Sequence, residues 1–87
     1  MMKVFLDRDS RFVTLRVFEL GKKIDARFFE FKNKNISSDF LKHISDSLKK
    51  YIEVKSHNEH CLEFIISKSN NRQFKKAVMF AEIKCKK

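Results

Sequence analysis

The segment from Lys3 to Leu20 alternates apolar with polar side chains, and this period of two is typical of half-buried β-strands. A polar stretch at Asp7–Ser10 divides the segment into two strands. The side chains expected to point toward the interior are Val4, Leu6, Val13, Leu15 and Val17. A third antiparallel strand is predicted at Ile24–Lys32, because Gly21, the only glycine, can adopt the positive φ of a hairpin turn.

A helical period replaces the alternation after the polar stretch Asn33–Asn35. Ser37, Ser38 and Asp39 follow as predicted N-caps, and a carboxylate there also suits the positive end of the helix dipole. Apolar side chains then recur at spacings of three and four residues, at Phe40, Leu41, Ile44, Leu48, Tyr51 and Ile52. The pattern predicts an amphipathic helix that starts at these caps.

Two more short strands and a second helix complete the pattern. The strands are predicted at Glu53–Ser56 and Cys61–Ser67, around a polar turn. In the second of them, one side is expected to consist of Leu62, Phe64 and Ile66. Ser69 or Asn70 is the predicted cap of the last helix. Its apolar stripe is expected to contain Phe74, Ala77, Val78, Ala81 and Cys85.

The resulting order is βββ-α-ββ-α, which predicts an α+β fold with an antiparallel sheet and both amphipathic helices on one face. A chain of 87 residues buries only about 60–65% of the surface that its unfolded form exposes. We therefore expect one small basic domain over residues 1–87, without a linker or repeat. No apolar run approaches the roughly 20 residues that cross a bilayer, so no membrane partner is expected.

The cysteine content and the N-terminal segment predict the cellular setting. Cys61 and Cys85 are the only cysteines, whereas small secreted scaffolds usually carry four to eight. Charged side chains between Lys3 and Asp9 interrupt the region where a secretory signal needs apolar residues. These features predict a cytoplasmic protein. A composition rich in Lys, Asn, Ile and Phe and poor in Gly, Pro and Trp is typical of an A/T-rich genome such as that of a phage.

The formal charge of +9 is unevenly distributed along the chain. Residues 1–36 carry +4, residues 37–67 carry −1 and residues 68–87 carry +6. If the last helix packs beside the first strands, the two basic ends form one surface suited to nucleic-acid phosphates. The predicted contact residues are Arg11, Arg16, Lys22, Lys23, Arg27, Lys32, Lys34, Arg72, Lys75 and Lys76. Binding to an acidic protein surface, or solubility alone, would also explain the charge.

The second predicted strand carries Phe12, Arg16 and Phe18 on the side opposite its buried residues. Aromatic rings interleaved with cations suit single-stranded nucleic acid, because each stacked base contributes about 1–3 kcal/mol. The same two phenylalanines could instead belong to the core of a curved sheet or to a protein-binding patch.

Metal binding and catalysis have little support in the sequence. His57, His60, Cys61 and Cys85 could together supply four zinc ligands, but their spacing matches no finger or ribbon pattern. There is no glycine-rich phosphate loop and no nucleophile elbow. No fixed spacing gives His43 or the other histidines an acid–base partner. We expect no catalytic residue, no metal, no cofactor and no enzymatic activity.

The chain from Val4 to Ile83 resembles a known DNA-binding family in the order of its elements. A meander precedes the amphipathic segment SSDFLKHISDSLKKYI, the hairpin EVKSHNEHCLEFIIS and the closing helix NNRQFKKAVMFAEI. This order resembles the C-terminal double-wing domain of MotA-type phage middle-promoter transcription factors. The resemblance implies a curved sheet lying on duplex DNA, with phosphate or groove contacts from Arg11, Arg16, Lys22, Lys23 and Arg27. It does not extend to the separate activation domain of that family.

The favoured hypothesis is a DNA-binding protein, such as a phage-type transcription regulator or accessory factor, that acts as a monomer or weak dimer. One alternative is a protein-interaction module that inhibits or modulates a host protein with an acidic surface. Another is binding to RNA or to single-stranded nucleic acid.

Overall fold

The computed structural model describes residues 1–86. In chain order its elements are β1 (Met2–Asp9), β2 (Phe12–Glu19), β3 (Lys22–Glu30), α1 (Lys34–Leu48), β4 (Val54–His57), β5 (Cys61–Ile66), a 3₁₀ turn (Lys68–Asn70) and α2 (Asn71–Cys85). The five strands form one sheet in the order β3-β2-β1-β5-β4, and every neighbouring pair is antiparallel. The predicted α+β class and the order βββ-α-ββ-α are confirmed.

The central position of β1 joins the two halves of the chain in one sheet. Its residues pair with β2 along the full length of the strand, from Met2 to Asp9. On the other side the strand pairs with β5, from Met2 opposite Ile66 to Asp7 opposite Cys61. The N-terminal meander and the second hairpin therefore share a single core.

Two-residue loops connect the first three strands. In the first loop Ser10 has a φ of 56°, and β1 extends to Asp9, so the break predicted at Asp7–Ser10 is too long. In the second loop Leu20 and Gly21 have φ values of 52° and 78°. A type I′ turn requires a positive φ at both central residues, so the predicted role of Gly21 is confirmed.

One side of the sheet packs against the apolar stripes of both helices. The predicted interior side chains of β1, β2 and β5 are all buried: Val4, Leu6, Val13, Leu15, Val17, Leu62, Phe64 and Ile66. From α1, Phe40 packs against Phe29 and Phe31, with ring centroids 4.9 and 4.7 Å away. From α2, Phe74 lies 5.7 Å from Phe64. Both helices thus cover the same face, as predicted.

The start of α1 differs from the prediction. The helix begins at Lys34, and its N-cap is Asn33, whose Oδ1 accepts a hydrogen bond from the backbone N–H of Ile36 at 3.0 Å. The predicted caps lie within the helix. Ser37 is buried there, and its hydroxyl lies 2.6 Å from the carbonyl oxygen of Ser10. This serine joins the helix to the first hairpin instead of capping it.

The end of α1 also differs, because the helix stops at Leu48. The backbone N–H groups of Tyr51 and Ile52 both donate to the Leu48 carbonyl oxygen, at 2.9 Å, so the chain turns tightly there. This turn keeps Ile52 buried but leaves Tyr51 59% exposed. The prediction that Tyr51 belongs to the apolar stripe was therefore wrong.

The apolar stripe of α2 is as predicted, since Phe74, Ala77, Val78, Ala81 and Cys85 are all buried. Asn70 occupies the N-cap position, but its side chain makes no capping hydrogen bond. Neither α1 nor α2 is long and apolar enough to cross a membrane, and these are the α-helices of residues 1–86.

Arg8 is a buried basic side chain with a structural role that the sequence prediction missed. Its Nε donates to the carbonyl oxygen of Glu59 at 2.7 Å, and its Nη1 donates to that of Ser10 at 2.9 Å. Its backbone N–H donates to the His60 carbonyl oxygen at 2.7 Å. Arg8 therefore links the first hairpin loop to the β4–β5 loop and is not available to a ligand.

Candidate nucleic-acid interface

Four basic side chains cluster in the 3₁₀ turn and the first two turns of α2. We call Lys68, Arg72, Lys75 and Lys76 the α2 patch; all four are exposed. Their helical spacing places them on neighbouring positions of one surface. Together with Asn71 and Met79 they line a concave cavity of about 440 Å³. Several positive charges therefore converge on one depression.

The helix dipole does not explain this cluster. The N-terminal end of a helix carries partial positive charge and favours anions, typically by about 0.3–1 kcal/mol each. The first turn of α2 contains no acidic residue, and Arg72 lies there instead. The dipole does explain Lys84, which lies in the last turn. Arg72 therefore lies where the dipole disfavours a cation, whereas Lys75 and Lys76 lie one turn further along, where the dipole acts only weakly.

The α2 patch also lacks carboxylate partners among residues 1–86. The ion pairs in this part of the chain involve the basic residues Arg11, Arg16, Arg27, Lys49 and Lys86. None of the four patch side chains belongs to that set. An anionic ligand at the patch would therefore not have to displace a carboxylate of the described chain.

A groove of about 420 Å³ separates α2 from β3, which is an edge strand. Ile24, Asp25 and Arg27 line its strand side, and Asn71, Phe74, Lys75 and Val78 line its helix side. Lys75 lines both this groove and the cavity of the α2 patch. Lys22 pairs with Glu19 at the start of β3, on the helix side of the sheet. The basic ends of the chain are therefore neighbours here.

Arg27 lies in this groove but is held by the protein itself. Its Nη2 is 3.6 Å from a carboxylate oxygen of Glu82, and its guanidinium lies 4.8 Å above the ring of Phe29. The same Glu82 is 3.4 Å from Lys86. We therefore regard Arg27 as a residue that joins β3 to α2.

Lys32 and Lys34 are exposed, but the structure does not bring them to the α2 patch. They follow the end of β3, whereas Lys22 is at its start. At about 3.3 Å per residue, ten residues of extended chain span about 33 Å. The predicted contact residues are thus divided between opposite ends of the domain.

The side of the sheet that the helices leave uncovered is called the open face. Strand alternation and register place on it Lys3, Phe5, Asp7 and Asp9 of β1, Phe12, Thr14, Arg16 and Phe18 of β2, Lys23, Ala26, Phe28 and Glu30 of β3, and Cys61, Glu63 and Ile65 of β5. Acidic and basic side chains are mixed on this face, unlike on α2.

The predicted arginine contacts on this side of the sheet are paired with carboxylates. The Nη2 of Arg16 donates to an oxygen of Asp7 at 2.6 Å. Arg11, in the first hairpin loop, is 3.0 Å from Glu30, and its guanidinium lies 5.0 Å above the ring of Phe12. A phosphate would have to compete with these carboxylates for either arginine.

Phe12 and Phe18 lie on the open face, as the strand pattern predicted, and both are half-buried. Phe12 stacks on Phe28 at 5.5 Å, and Phe18 meets Phe5 edge-on at 5.7 Å. The sheet lies between these rings and the helices. A single strand could not contact the rings and the α2 patch together without passing around an edge of the domain.

The histidines and cysteines considered as metal ligands do not come together. His57 and His60 are exposed at the β4–β5 hairpin. Cys61 lies on the open face and Cys85 is buried on α2, and both thiols are free. Within residues 1–86, no cluster of three His, Cys, Asp or Glu side chains could hold a metal ion.

Burial raises the pKa of the Cys85 thiol above its ordinary value, and the Asp39 carboxylate adds to this effect. Lys84 acts in the opposite direction. The thiol therefore stays protonated in the helix layer, which fits a packing role and not a nucleophilic one.

Lys68 is the member of the α2 patch that the sequence prediction did not name. It precedes the predicted cap of the last helix, so it was not assigned to that helix. Its spacing of four residues from Arg72 was the available signal, because the 3₁₀ turn continues into α2.

Comparisons of the chain with protein-family models, with curated proteins and with solved structures found no match. The resemblance to MotA-type domains therefore stays a prediction.

Proposed function

We propose that the protein binds nucleic acid, and duplex DNA in particular, through phosphate contacts of the α2 patch and Lys22. The observation that carries this proposal is the position of the patch. Four exposed cations without carboxylate partners in the described chain lie near the N-terminal end of α2, where the dipole disfavours Arg72 of the first turn. A bound phosphate reverses this cost, because it neutralises the cations and interacts favourably with the dipole.

The backbone of α2 supports phosphate binding at the same place. The first N–H groups of a helix have no partner within the helix. Here Asn70 provides no side-chain cap for them. The N–H of Asn71 already donates to the Lys68 carbonyl oxygen of the 3₁₀ turn. The later N–H groups of the first turn, together with the cations of the α2 patch, match the donors that commonly bind phosphate oxygens.

The arrangement favours duplex over single-stranded nucleic acid. Proteins that bind single strands combine a basic groove with aromatic side chains on the same surface. In this domain Phe12 and Phe18 lie on the open face, whereas the α2 patch lies on the helix side. A duplex needs only the regularly spaced phosphates, which the α2 patch can contact without stacking.

The proposal differs from the MotA-type resemblance in where DNA lies. That resemblance places DNA on the sheet, with Arg11 and Arg16 as contacts. Both arginines are paired with carboxylates, at 3.0 and 2.6 Å. We therefore place the DNA at α2 and treat a role in phage transcription as a further hypothesis of that resemblance.

The salt dependence of duplex binding tests the proposal. Five phosphate contacts, from Lys22 and the α2 patch, give a slope of log K against log salt of about −4.5. The double variant Lys75→Ala/Lys76→Ala should flatten the slope by about 1.8. The matched control Lys32→Ala/Lys34→Ala removes the same charge at the other end of β3 and should keep the slope within about 0.5.

Fluorescence anisotropy with a labelled duplex of about 20 base pairs, measured between about 50 and 300 mM salt, provides these slopes. Single-stranded DNA and RNA of the same sequence form the other arms of the experiment. Absence of duplex binding at about 50 mM salt would contradict the proposal, as would equal effects of the two double variants.

A second candidate function is binding to an acidic protein surface. It is favoured by Met79, Phe80 and Ile83, which lie on α2 and remain 49%, 56% and 54% exposed. Phosphates offer no apolar surface to cover these side chains, whereas a protein partner would. A single protein retained after nuclease treatment, and lost from the Phe80→Ser variant, would favour this alternative.

A further inference from the structure

The open face is an uncovered apolar surface on the side of the sheet away from α2. Its apolar side chains are Phe5, Phe12, Phe18, Phe28 and Ile65. Phe28 is 65% exposed, and it stacks on Phe12. A sheet face of this kind is usually packed against another layer of protein.

The charge of the open face differs from that of the whole chain. The protein carries +9, but this face together with the first hairpin loop carries equal numbers of acidic and basic groups. The basic side chains are Lys3, Arg11, Arg16 and Lys23, and the acidic side chains are Asp7, Asp9, Glu30 and Glu63. Two copies of this basic protein could therefore meet here without net repulsion.

The charges are also ordered along the strands. At one end of the open face, the register aligns Lys23, Phe18, Lys3 and Ile65 in one row across the sheet. At the other end it aligns Glu30, Phe12 and Asp9. The two rows are six residues apart along β1 and β2, or about 20 Å. Arg11 in the first hairpin loop pairs with Glu30 at this second end. The first end therefore carries two uncompensated positive charges, and the second end carries one net negative charge, on Asp9.

We propose that a second copy of this chain covers the open face, in a twofold-symmetric dimer whose axis lies between the two sheets and runs perpendicular to the strands. This axis reverses the strand direction of the partner, so the positive row of each copy faces the negative row of the other. Lys3 then lies opposite the partner's Asp9, and Lys23 lies opposite the partner's Glu30. Between these ion pairs Phe18 faces the partner's Phe12.

The charge order selects this axis over the alternative. An axis parallel to the strands would place Lys3 opposite the partner's Lys3 and Asp9 opposite the partner's Asp9. Like charges at an interface are unfavourable, so that arrangement is disfavoured. In the chosen arrangement the central Arg16 and Asp7 already neutralise each other at 2.6 Å, which limits the cost of covering them.

The area of the open face suits a weak dimer. The four strands that form the open face lie about 4.8 Å apart and their rows span about 20 Å, which gives a face of roughly 400 Å² in projection. Two such faces give on the order of 800 Å² in total, which is below the standard size of specific interfaces and within the range of weak ones. A reversible dimer is therefore expected at concentrations on the order of 10–100 µM.

Charge reversal with complementation tests the dimer directly. Lys3 and Asp9 are exposed, so neither Lys3→Glu nor Asp9→Lys should disturb the fold. In a homodimer of either variant, both Lys3–Asp9 contacts become repulsive, and the dissociation constant should rise roughly tenfold. In an equimolar mixture of the two variants, both contacts become attractive again, so the mixed dimer should form like the unmodified one.

Sedimentation velocity at concentrations from about 5 to 500 µM provides the measurement. The control Lys42→Glu, on the exposed side of α1, should dimerise like the unmodified chain. The variant Phe28→Lys places a charge on the apolar surface beside Phe12 and should abolish the dimer while circular dichroism keeps its folded signature. The proposal is overturned if the unmodified chain stays monomeric throughout, or if the mixture of Lys3→Glu and Asp9→Lys is as weak as either variant alone.

Discussion

The guanidinium of Arg16 donates a hydrogen bond to the Asp7 carboxylate at 2.6 Å, across β2 and β1 on the open face. The same guanidinium lies 5.7 Å above the ring of Phe5. Because of this pairing, the open face and the α2 patch differ in charge: the arginine on the open face is neutralised by a carboxylate, and the cations of the α2 patch are not. The sheet side is balanced, so most of the uncompensated charge is left to α2 and the segments beside it.

Removal of Arg16 should have little effect on duplex binding. Arg16→Ala should keep the slope of log K against log salt, whereas Arg72→Ala should flatten it by about 0.9. Because the Arg16–Asp7 pair is half-exposed, its loss should lower the free energy of unfolding by less than about 1 kcal/mol.

Asp7→Asn provides the matched control, because it frees Arg16 without removing it. If DNA lies at α2, this variant should not gain affinity beyond the small effect of its added net charge. A steeper salt slope for Asp7→Asn would instead place DNA on the sheet. Anisotropy titrations of the three variants in one buffer series distinguish these outcomes.

The fold was predictable from the sequence because the spacing of apolar residues along each strand and helix identifies the core residues. Val4 and Leu6 follow the period of a strand, and Phe74 and Ala77 follow that of a helix, and all are buried. The ends of the elements were less predictable, since capping depends on which side chain reaches which backbone group. Serine is a common N-cap residue, but the hydroxyl of Ser37 instead makes a tertiary contact with the carbonyl oxygen of Ser10.

The candidate site was less predictable than the fold because it depends on pairings between distant residues. In the sequence, Arg16 and Arg72 are equivalent cations. In the structure, Arg16 of β2 pairs with Asp7 of the neighbouring strand β1, whereas Arg72 lies on an exposed helix turn. The contacts that a cation can make are set by its spatial neighbours, and the composition of the chain does not specify these neighbours. The same reason explains why Arg8 was not recognised as structural.

Asn33 should be the residue that fixes the start of α1. Its Oδ1 accepts a hydrogen bond from the Ile36 N–H at 3.0 Å. Asn33→Ala should lower the free energy of unfolding by about 1 kcal/mol. Asn33→Asp should keep most of this stabilisation, because a carboxylate can also accept the capping hydrogen bond. The control Ser38→Ala, at a position inside the helix, should change it by less than about 0.5 kcal/mol. Urea denaturation followed by circular dichroism measures these differences, and a larger loss for Ser38→Ala would contradict the assignment.

Arg8 should contribute to stability and not to DNA affinity. Arg8→Ala removes two hydrogen bonds from a charged donor to the carbonyl oxygens of Glu59 and Ser10. We expect a loss of about 2–4 kcal/mol in the free energy of unfolding. Arg8→Lys should recover only part of it, because one ammonium group cannot reproduce the guanidinium geometry. If Arg8→Ala unfolded at the same urea concentration as the unmodified chain, this role would be excluded.

The proposed dimer and the proposed DNA contact together predict that one dimer can join two duplexes. Each copy places its helices on the outer side of its own sheet, so the two α2 patches face away from each other. A bead-bound duplex should therefore retain a second, labelled duplex in the presence of the protein. Lys3→Glu should lose this retention but still bind a single duplex, and a mixture with Asp9→Lys should regain it. Retention by Lys3→Glu alone would show that the sheet-to-sheet contact is not required.

Cys85 should make the free energy of unfolding fall as the pH rises through the alkaline range. Burial and the Asp39 carboxylate raise the pKa of this thiol above 9.0 in the folded state. The folded protein thus keeps its proton at pH values where the unfolded chain releases it. The protonated thiol makes its whole contribution to the free energy of unfolding below pH 9.0. This contribution is lost as the pH rises through the raised folded-state pKa.

In that window the free energy of unfolding should fall as the pH rises, by less than the limit of about 1.4 kcal/mol per pH unit for one proton. Cys85→Ala should be less stable at neutral pH because it removes buried sulfur, but its stability should fall less between about pH 8.5 and 10.5. Cys61→Ala, on the open face, should keep the steeper fall of the unmodified chain. Urea denaturation at several pH values gives the three curves. Parallel curves for Cys85→Ala and the unmodified chain would show that the buried thiol does not titrate differently in the two states.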